Sequence, residues 1–147
     1  MIIDFYKFQA TGNDFILIDD RIEEFDLDDN ILIKSLCERR FGIGADGLIL
    51  LRSHNVYKFE MIFFNSTGER STFCGNGGRC VIAFAHYLEL FKNECNFIAY
   101  DGPHIGRLDN GIVSMGMVDV NDVNVKEDSV VLDTGSPHLV KIVDNVK

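Results

Sequence analysis

A chain of 147 residues, 46% hydrophobic and 25% charged, has the size and balance of one globular domain with a real core. Its formal net charge of −9 repels phosphate backbones and argues against a nucleic-acid partner. No apolar run approaches the roughly 20 residues of a membrane helix, and Met1-Ile2-Ile3-Asp4 has neither the basic flank nor the cleavage site of a secretory signal, so a cytoplasmic protein without membrane contact is expected.

Taken in chain order, the expected fold class is α+β. Residues 3–9 alternate as a strand, Thr11-Gly12-Asn13 turns the chain, and residues 15–18 make a second apolar strand. Asp28 and Asp29 are candidate caps for a helix with apolar Leu32, Ile33, Leu36 and Cys37. That helix is expected to end in Glu38-Arg39-Arg40, whose arginines suit a C-terminus. Strands follow over 48–51 and 57–64, the second closed by an Asn65-Ser66-Thr67-Gly68 turn. A helix is expected over 76–91, because no Gly or Pro interrupts it after Gly78; its first half is apolar on nearly every side, which predicts burial. Asp109-Asn110-Gly111 then joins strands over 105–108 and 112–118 as a hairpin, and strands follow over 130–132 and 139–143. No repeat or low-complexity segment interrupts this pattern. The chain stops just after its last expected strand, which suits either a terminal edge strand or a cut at a domain boundary.

Several motifs have a local explanation. Gly42-Ile43-Gly44-Ala45-Asp46-Gly47 matches a dinucleotide-binding pattern letter for letter, but that motif needs a strand before it and a helix after it. Here the order is reversed, so a tight helix-to-strand turn is the reading. Cys74 and Cys80 are six residues apart and His86 six further on, neither a usual zinc spacing, and His54, His104 and His138 are scattered; no metal is assigned. Asn13 and Asn65 each sit in a glycine-containing turn, which asparagine suits by bonding its own backbone. The four cysteines (Cys37, Cys74, Cys80 and Cys95) contain no C-x-x-C pair and read as reduced thiols, each by default a small buried hydrophobe.

Cys74 stands apart. Gly75, Asn76, Gly77 and Gly78 follow it at an expected helix start, where unpaired backbone N–H groups and the helix dipole favour a carboxylate. The same positive end favours thiolate over thiol. An anion site beside such a thiol suits proton abstraction next to a carboxylate. Close helix packing is the alternative use of the same glycines.

The segments "TGNDF" (11–15), "RRFGIGADGLIL" (39–50), "FNSTGERSTFCGNGGRC" (64–80) and "DTGSPH" (133–138) together cover nearly the whole chain in order. In them the chain resembles the N-terminal half of the diaminopimelate epimerase family, cofactor-independent isomerases of lysine and peptidoglycan precursor synthesis. The third segment is the most specific, with its Asn-x-x-Gly turn and Cys-Gly-Asn-Gly-x-Arg-Cys box.

The resemblance implies a mixed β-sheet curled around a central apolar α-helix, and two such domains facing each other across a cleft. It implies that Cys74 is one of two cysteine acid–bases, that Asn13 and Asn65 hold the substrate's amino and carboxylate groups, and that Gly75 and Asn76 supply backbone amides to the reacting carboxylate. The substrate implied is diaminopimelate, interconverted between LL and meso forms by a thiolate on one face and a thiol on the other, without cofactor or metal. Cys80, the second cysteine of the box, is read as packing. Gly47 stands where many members carry glutamine and Ser136 where many carry asparagine, so neither is carried into the site. The family is about twice this long and its second catalytic cysteine lies in the other half. Residues 1–147 are therefore expected to be an N-terminal domain, inactive alone, whose partner is the missing C-terminal domain in cis or in trans; a homodimer is also admissible. Proline and hydroxyproline racemase relatives share the implied fold but carry histidine after the Cys-Gly pair, where this chain has Asn76. A catalytically silent domain that binds a small amino acid or a partner chain is the remaining alternative.

Overall fold

Two turns of chain direction account for most of the architecture. In the computed structural model, which describes residues 2–146, β1 (Tyr6–Ala10) and β2 (Asn13–Asp19) form an antiparallel pair, and α1 (Asn30–Cys37) carries the chain to β3 (Gly47–Arg52), parallel to β2. The unit then repeats. β4 (Phe59–Asn65) runs antiparallel to β3, and α2 (Gly75–Tyr87) leads to β5 (Glu94–Ala99), parallel to β4. β6 (Gly102–Asp109) and β7 (Ile112–Met115) complete a mixed seven-stranded sheet whose spatial order is the chain order. Parallel neighbours need a crossover, and each helix is one.

The two helices lie on opposite faces, which explains why the central strands read as unbroken apolar runs. Phe15 and Leu17 of β2, Ile49 and Leu51 of β3, and Phe59 and Met61 of β4 pack with α2. The alternate residues, Ile16 and Ile18, Leu48 and Leu50, and Ile62 and Phe64, pack with Ile33 and Cys37 of α1. Strands buried on both faces lose the polar alternation of a half-exposed sheet. Each fully buried side chain of this kind contributes about 1.5–3 kcal/mol.

α2 is the axis around which the sheet curls. At one edge Tyr6 and Phe8 of β1 meet Phe84, with ring centroids 4.9 and 5.8 Å apart. Near the other edge a Cβ on Gly78 would stand 2.5 Å from Met115 Sδ of β7, so the glycine lets that side chain pack directly against the helix. Gly77, Gly78, Cys80, Val81, Ile82, Phe84 and Ala85 are all buried, as the apolar run predicts. The fold is the expected α+β class, a mixed sheet curled around a central apolar helix.

Three strands of a second, antiparallel sheet follow: β8 (Val123–Val125), β9 (Val130–Asp133) and β10 (Pro137–Val140), in order β10-β9-β8. Its attachment is polar and local. Phe73 N–H donates to Gly135 O at 3.2 Å, and Thr72 and Ser136 share a hydroxyl hydrogen bond of 2.8 Å. Among the described residues no helix is long and apolar enough to cross a membrane.

Several boundaries differ from the sequence expectation. β1 begins at Tyr6 rather than residue 3, β7 stops at Met115 rather than 118, β10 covers Pro137–Val140 rather than 139–143, and β8 has no counterpart among the expected strands. α2 starts at Gly75 and stops at Tyr87, short of residue 91. Leu90 N–H donates to Ala85 O and Glu89 N–H to His86 O, a Schellman closure with Glu89 at φ +59° where glycine usually stands. α1 stops at Cys37 with Glu38 extended, so the arginines fall outside the helix. Arg39 pairs instead with Asp14 and Asp46.

Candidate functional site

Strand register gathers the turn residues at one end of the large sheet. Asn13 opens β2 opposite Ala10, Gly47 opens β3 opposite Phe15, and Asn65 closes β4 opposite Gly47. From Asn65 the chain turns, bridges back at Arg70, and reaches Cys74 as the N-cap of α2. Cys74 has extended backbone angles (φ −122°, ψ 116°), its carbonyl accepts from Gly78 N–H at 2.8 Å, and its Sγ accepts from Gly77 N–H at 3.5 Å. The N–H groups of Gly75 and Asn76, in the first turn, have no intrahelical acceptor. Both residues line a cleft of about 670 Å³, together with Cys74, Phe63, Arg79 and Ser136. A thiol and two free amides thus share one cavity wall.

The four thiols separate cleanly. Cys37, Cys80 and Cys95 are buried, and burial pushes each up to about 11. Cys74 alone is half-exposed. Cys80 packs in the core between sheet and helix, as read from the sequence.

A buried histidine and its carboxylate partner lie against Phe73, the residue before Cys74. His104 Nδ1 donates to Gly116 O and Nε2 bonds Asp101 Oδ1, both at 2.9 Å. The imidazole stacks on Phe73, with centroids 4.2 Å apart, so the residue preceding Cys74 rests on a hydrogen-bonded ring.

Of the candidate site residues, Cys74, Gly75 and Asn76 lie together on the cleft wall. Asn13 stands just behind them: its Oδ1 is 3.2 Å from Asn76 Nδ2 and 3.9 Å from Cys74 Sγ, and its Nδ2 donates to Asp46 Oδ2 at 2.8 Å. Asn65 is at the same end of the sheet but is not a wall of this cleft. Its Oδ1 accepts from Thr67 N–H, Thr67 Oγ1 and Glu69 N–H at 3.1, 2.5 and 3.3 Å, as turn chemistry predicts. Gly47 faces Phe63: a Cβ there would lie 2.6 Å from the ring, so the aromatic fills the space of a side chain.

Residues left out of the sequence reading also line the cleft. Ser136 and His138 arrive from the second sheet, and Arg79 from α2. Arg79 is three residues after Asn76 and donates to its Oδ1. The i, i+3 spacing within the box carried that signal, because such positions share a helix face. Ser136 had a signal only in the "DTGSPH" segment. Among the described residues no group of three or more His, Cys, Asp or Glu is placed to hold a metal.

Charge lies at the back of the site. Arg39 spans Asp14 and Asp46 at 2.7 and 2.8 Å, and Lys7 reaches Asp14 at 2.7 Å. The hydrogen bond from Arg39, with Lys7 beside it, holds the Asp14 carboxyl well below the usual carboxylate range. The hydrogen bond from Asn13 first, then that from Arg39, lowers the Asp46 carboxyl from its ordinary value.

The family profile described as diaminopimelate epimerase matches residues 5–127. A diaminopimelate epimerase of Flavobacterium psychrophilum is 51% identical over 142 residues, covering 96% of this chain and 56% of that protein. One from Campylobacter lari is 37% identical, covering 97% of this chain and 58% of that protein. The chain therefore spans just over half the length of the curated relatives it matches. Among solved structures, a Bacillus anthracis phenazine biosynthesis protein of the PhzF family superposes with a TM-score of 0.59 at 15% identity, over 93% of this chain and 53% of that one; it shares the fold.

Proposed function

Since the chain belongs to the diaminopimelate epimerase family, we propose that it forms one wall of a cytoplasmic, cofactor-independent isomerase that inverts an α-carbon of diaminopimelate, exchanging LL and meso forms. Cys74 is the acid–base of this wall. The observation that carries the reading is the half-exposed thiol at the N-cap of α2, beside the free N–H groups of Gly75 and Asn76 in one cleft.

The chemistry follows from that arrangement. The α-proton of an amino acid is weakly acidic, and its loss pushes charge into the carboxylate. Two amides at a helix N-terminus face that charge without reorganising, the term able to supply several kcal/mol. As thiolate, Cys74 takes the proton; as thiol, it returns one in the reverse direction. Asn13 and Asn65 hold the substrate's polar groups. With the Asn65 oxygen engaged in its own turn, its Nδ2 is the group available to a carboxylate.

Inversion needs a donor on the opposite face of the planar carbanion. The other three thiols of this chain are buried, so the second base comes from a second half, in the same chain or another. The alternative, a domain that binds a small amino acid or a partner chain without turnover, is separated by assay. LL-to-meso conversion is followed by chiral chromatography on the purified 147-residue chain and on the chain fused to the second half of the Flavobacterium relative. The expected result is no multiple turnover by the chain alone and recovery in the fusion. Turnover by the chain alone, blocked by Cys74→Ala, overturns the two-half reading; a folded fusion that binds meso-diaminopimelate without turnover supports the silent domain.

A further inference from the structure

Two carboxamides lie in series beside Cys74. Arg79 Nη2 donates to Asn76 Oδ1, Asn76 Nδ2 donates to Asn13 Oδ1 at 3.2 Å, and Asn13 Nδ2 donates to Asp46 Oδ2 at 2.8 Å. Every link runs in the same direction. A guanidinium can only donate and an ionised carboxylate can only accept, so the charged ends dictate which way each amide faces. Reversing Asn76 would set its NH₂ against Arg79; reversing Asn13 would set its oxygen against Asp46.

The acceptor end is itself anchored. Asp46 also accepts from Arg39 Nη2 at 2.8 Å and from Asp14 N–H at 3.3 Å. Asp46 N–H returns a bond to Asp14 O at 2.9 Å, tying the turn before β3 to β2. The hydrogen bonds from Asn13 and Arg39 also lower its carboxyl from the ordinary value.

The outcome matters at the sulfur. Asn13 turns Oδ1, not Nδ2, toward Cys74 Sγ at 3.9 Å, while Gly77 N–H approaches the same sulfur at 3.5 Å. The oxygen serves the protonated thiol and the N–H serves the thiolate. A group that removes a proton in one direction and returns it in the other needs both states accommodated.

We propose that Asp46 and Arg79 are positioning residues which, from opposite ends, lock the Asn13 and Asn76 carboxamides so that Cys74 meets a hydrogen-bond acceptor. The role assigned to the sulfur rests on the acid–base reading above; the amide orientation does not.

The test needs no substrate. In the ¹⁵N–¹H spectrum of the purified chain, the side-chain NH₂ of Asn13, assigned by its loss in Asn13→Ser, should be protected from solvent exchange. Asp46→Asn removes the obligate acceptor and Arg79→Gln the obligate donor. Each should abolish that protection. Each should also raise the iodoacetamide alkylation rate of Cys74 at pH 7 several-fold, because a reversed amide offers NH₂ to the thiolate. Arg79→Lys, which keeps a cationic donor, should restore both readouts. Arg70→Gln, at an exposed pair with Glu60, should leave both unchanged. If Asp46→Asn unfolds, Arg79→Gln and Arg39→Gln at the two ends of the network carry the same test. Unchanged Asn13 protection in a folded Asp46→Asn or Arg79→Gln protein overturns the proposal. Lost protection with an unchanged Cys74 rate overturns its link to the thiol. Failure of the epimerase reading would show in the turnover assay and leave both readouts intact.

Discussion

Helices α1 and α2 make the same journey, each carrying the chain between two parallel strands, and each is capped by a side chain that accepts the N–H three residues on. Asp29 Oδ1 takes Leu32 N–H at 2.9 Å; Cys74 Sγ takes Gly77 N–H at 3.5 Å. Aspartate is among the preferred N-caps, whereas sulfur is a weak acceptor. The helices differ in composition too. α1 has no glycine, while the first four residues of α2 include Gly75, Gly77 and Gly78, each costing about 0.5–1 kcal/mol of helix stability against alanine. Packing accounts for two of the three. A Cβ on Gly77 would stand 3.0 Å from Ile49 Cδ1 and one on Gly78 2.5 Å from Met115 Sδ, but one on Gly75 would meet nothing within 4 Å. The weaker cap and the glycine without a packing reason lie on the cleft. Local rules broken together without a structural gain mark a site built for something other than stability.

The comparison breaks most sharply at the sulfur. In the fused protein, Cys74→Ala should lower LL-to-meso turnover by about 10²–10⁴-fold, the usual range for one acid–base. Cys80→Ala, in the core, should retain turnover and lose about 1–2 kcal/mol in urea unfolding. Loss of turnover in a folded Cys80→Ala protein with Cys74→Ala still active would reverse the assignment.

The glycines come next. Gly78→Ala should destabilise by about 1–3 kcal/mol, because Met115 and the Phe73 ring, 2.9 Å from the new Cβ, must both give way. Gly75→Ala should be neutral or stabilising by about 0.4–1 kcal/mol, yet weaken meso-diaminopimelate binding in calorimetric titration, since the methyl group enters the space above its own N–H. Equal destabilisation at both positions would return Gly75 to a packing role.

The caps give the smallest effect. Asp29→Ala should cost about 1 kcal/mol, and Cys74→Ala less, because less hydrogen bonding is lost. Cys74→Ser should gain about 0.5 kcal/mol as a better cap while losing turnover. Thermal unfolding of the three variants orders them; a Cys74→Ala cost equal to that of Asp29→Ala would make the two helix starts equivalent after all.

Legibility followed the range of the physics. The apolar runs at 15–18 and 48–51, the Asp109-Asn110-Gly111 hairpin and the Asp29 cap are local signals, and each element formed. The closure of α2 at Tyr87 was not legible, because Glu89 adopts a positive φ without the glycine that usually announces one. β8 carries little local signal, because Val123-Asn124-Val125 is three residues long and exposed throughout. Cys74 stood out because its glycines are adjacent in sequence. Ser136 and Asp46 did not, because their roles depend on neighbours brought from elsewhere; Arg79 had a local signal, its i, i+3 spacing from Asn76.

What the sequence determined by itself is whatever repeats or adjoins within a few residues: short apolar strands, a helix that must be buried, and a thiol where glycine frees backbone amides. The tertiary structure alone decided how those parts meet. Asn13 reaches Asp46 across 33 positions and Asn76 across 63, while Thr72 meets Ser136 across 64. Which face of an amide turns toward Cys74 depends on charges at both ends of such a chain. A hydrogen bond acts only at about 3 Å, so that choice existed only once the sheet had curled around α2 and brought these residues into contact.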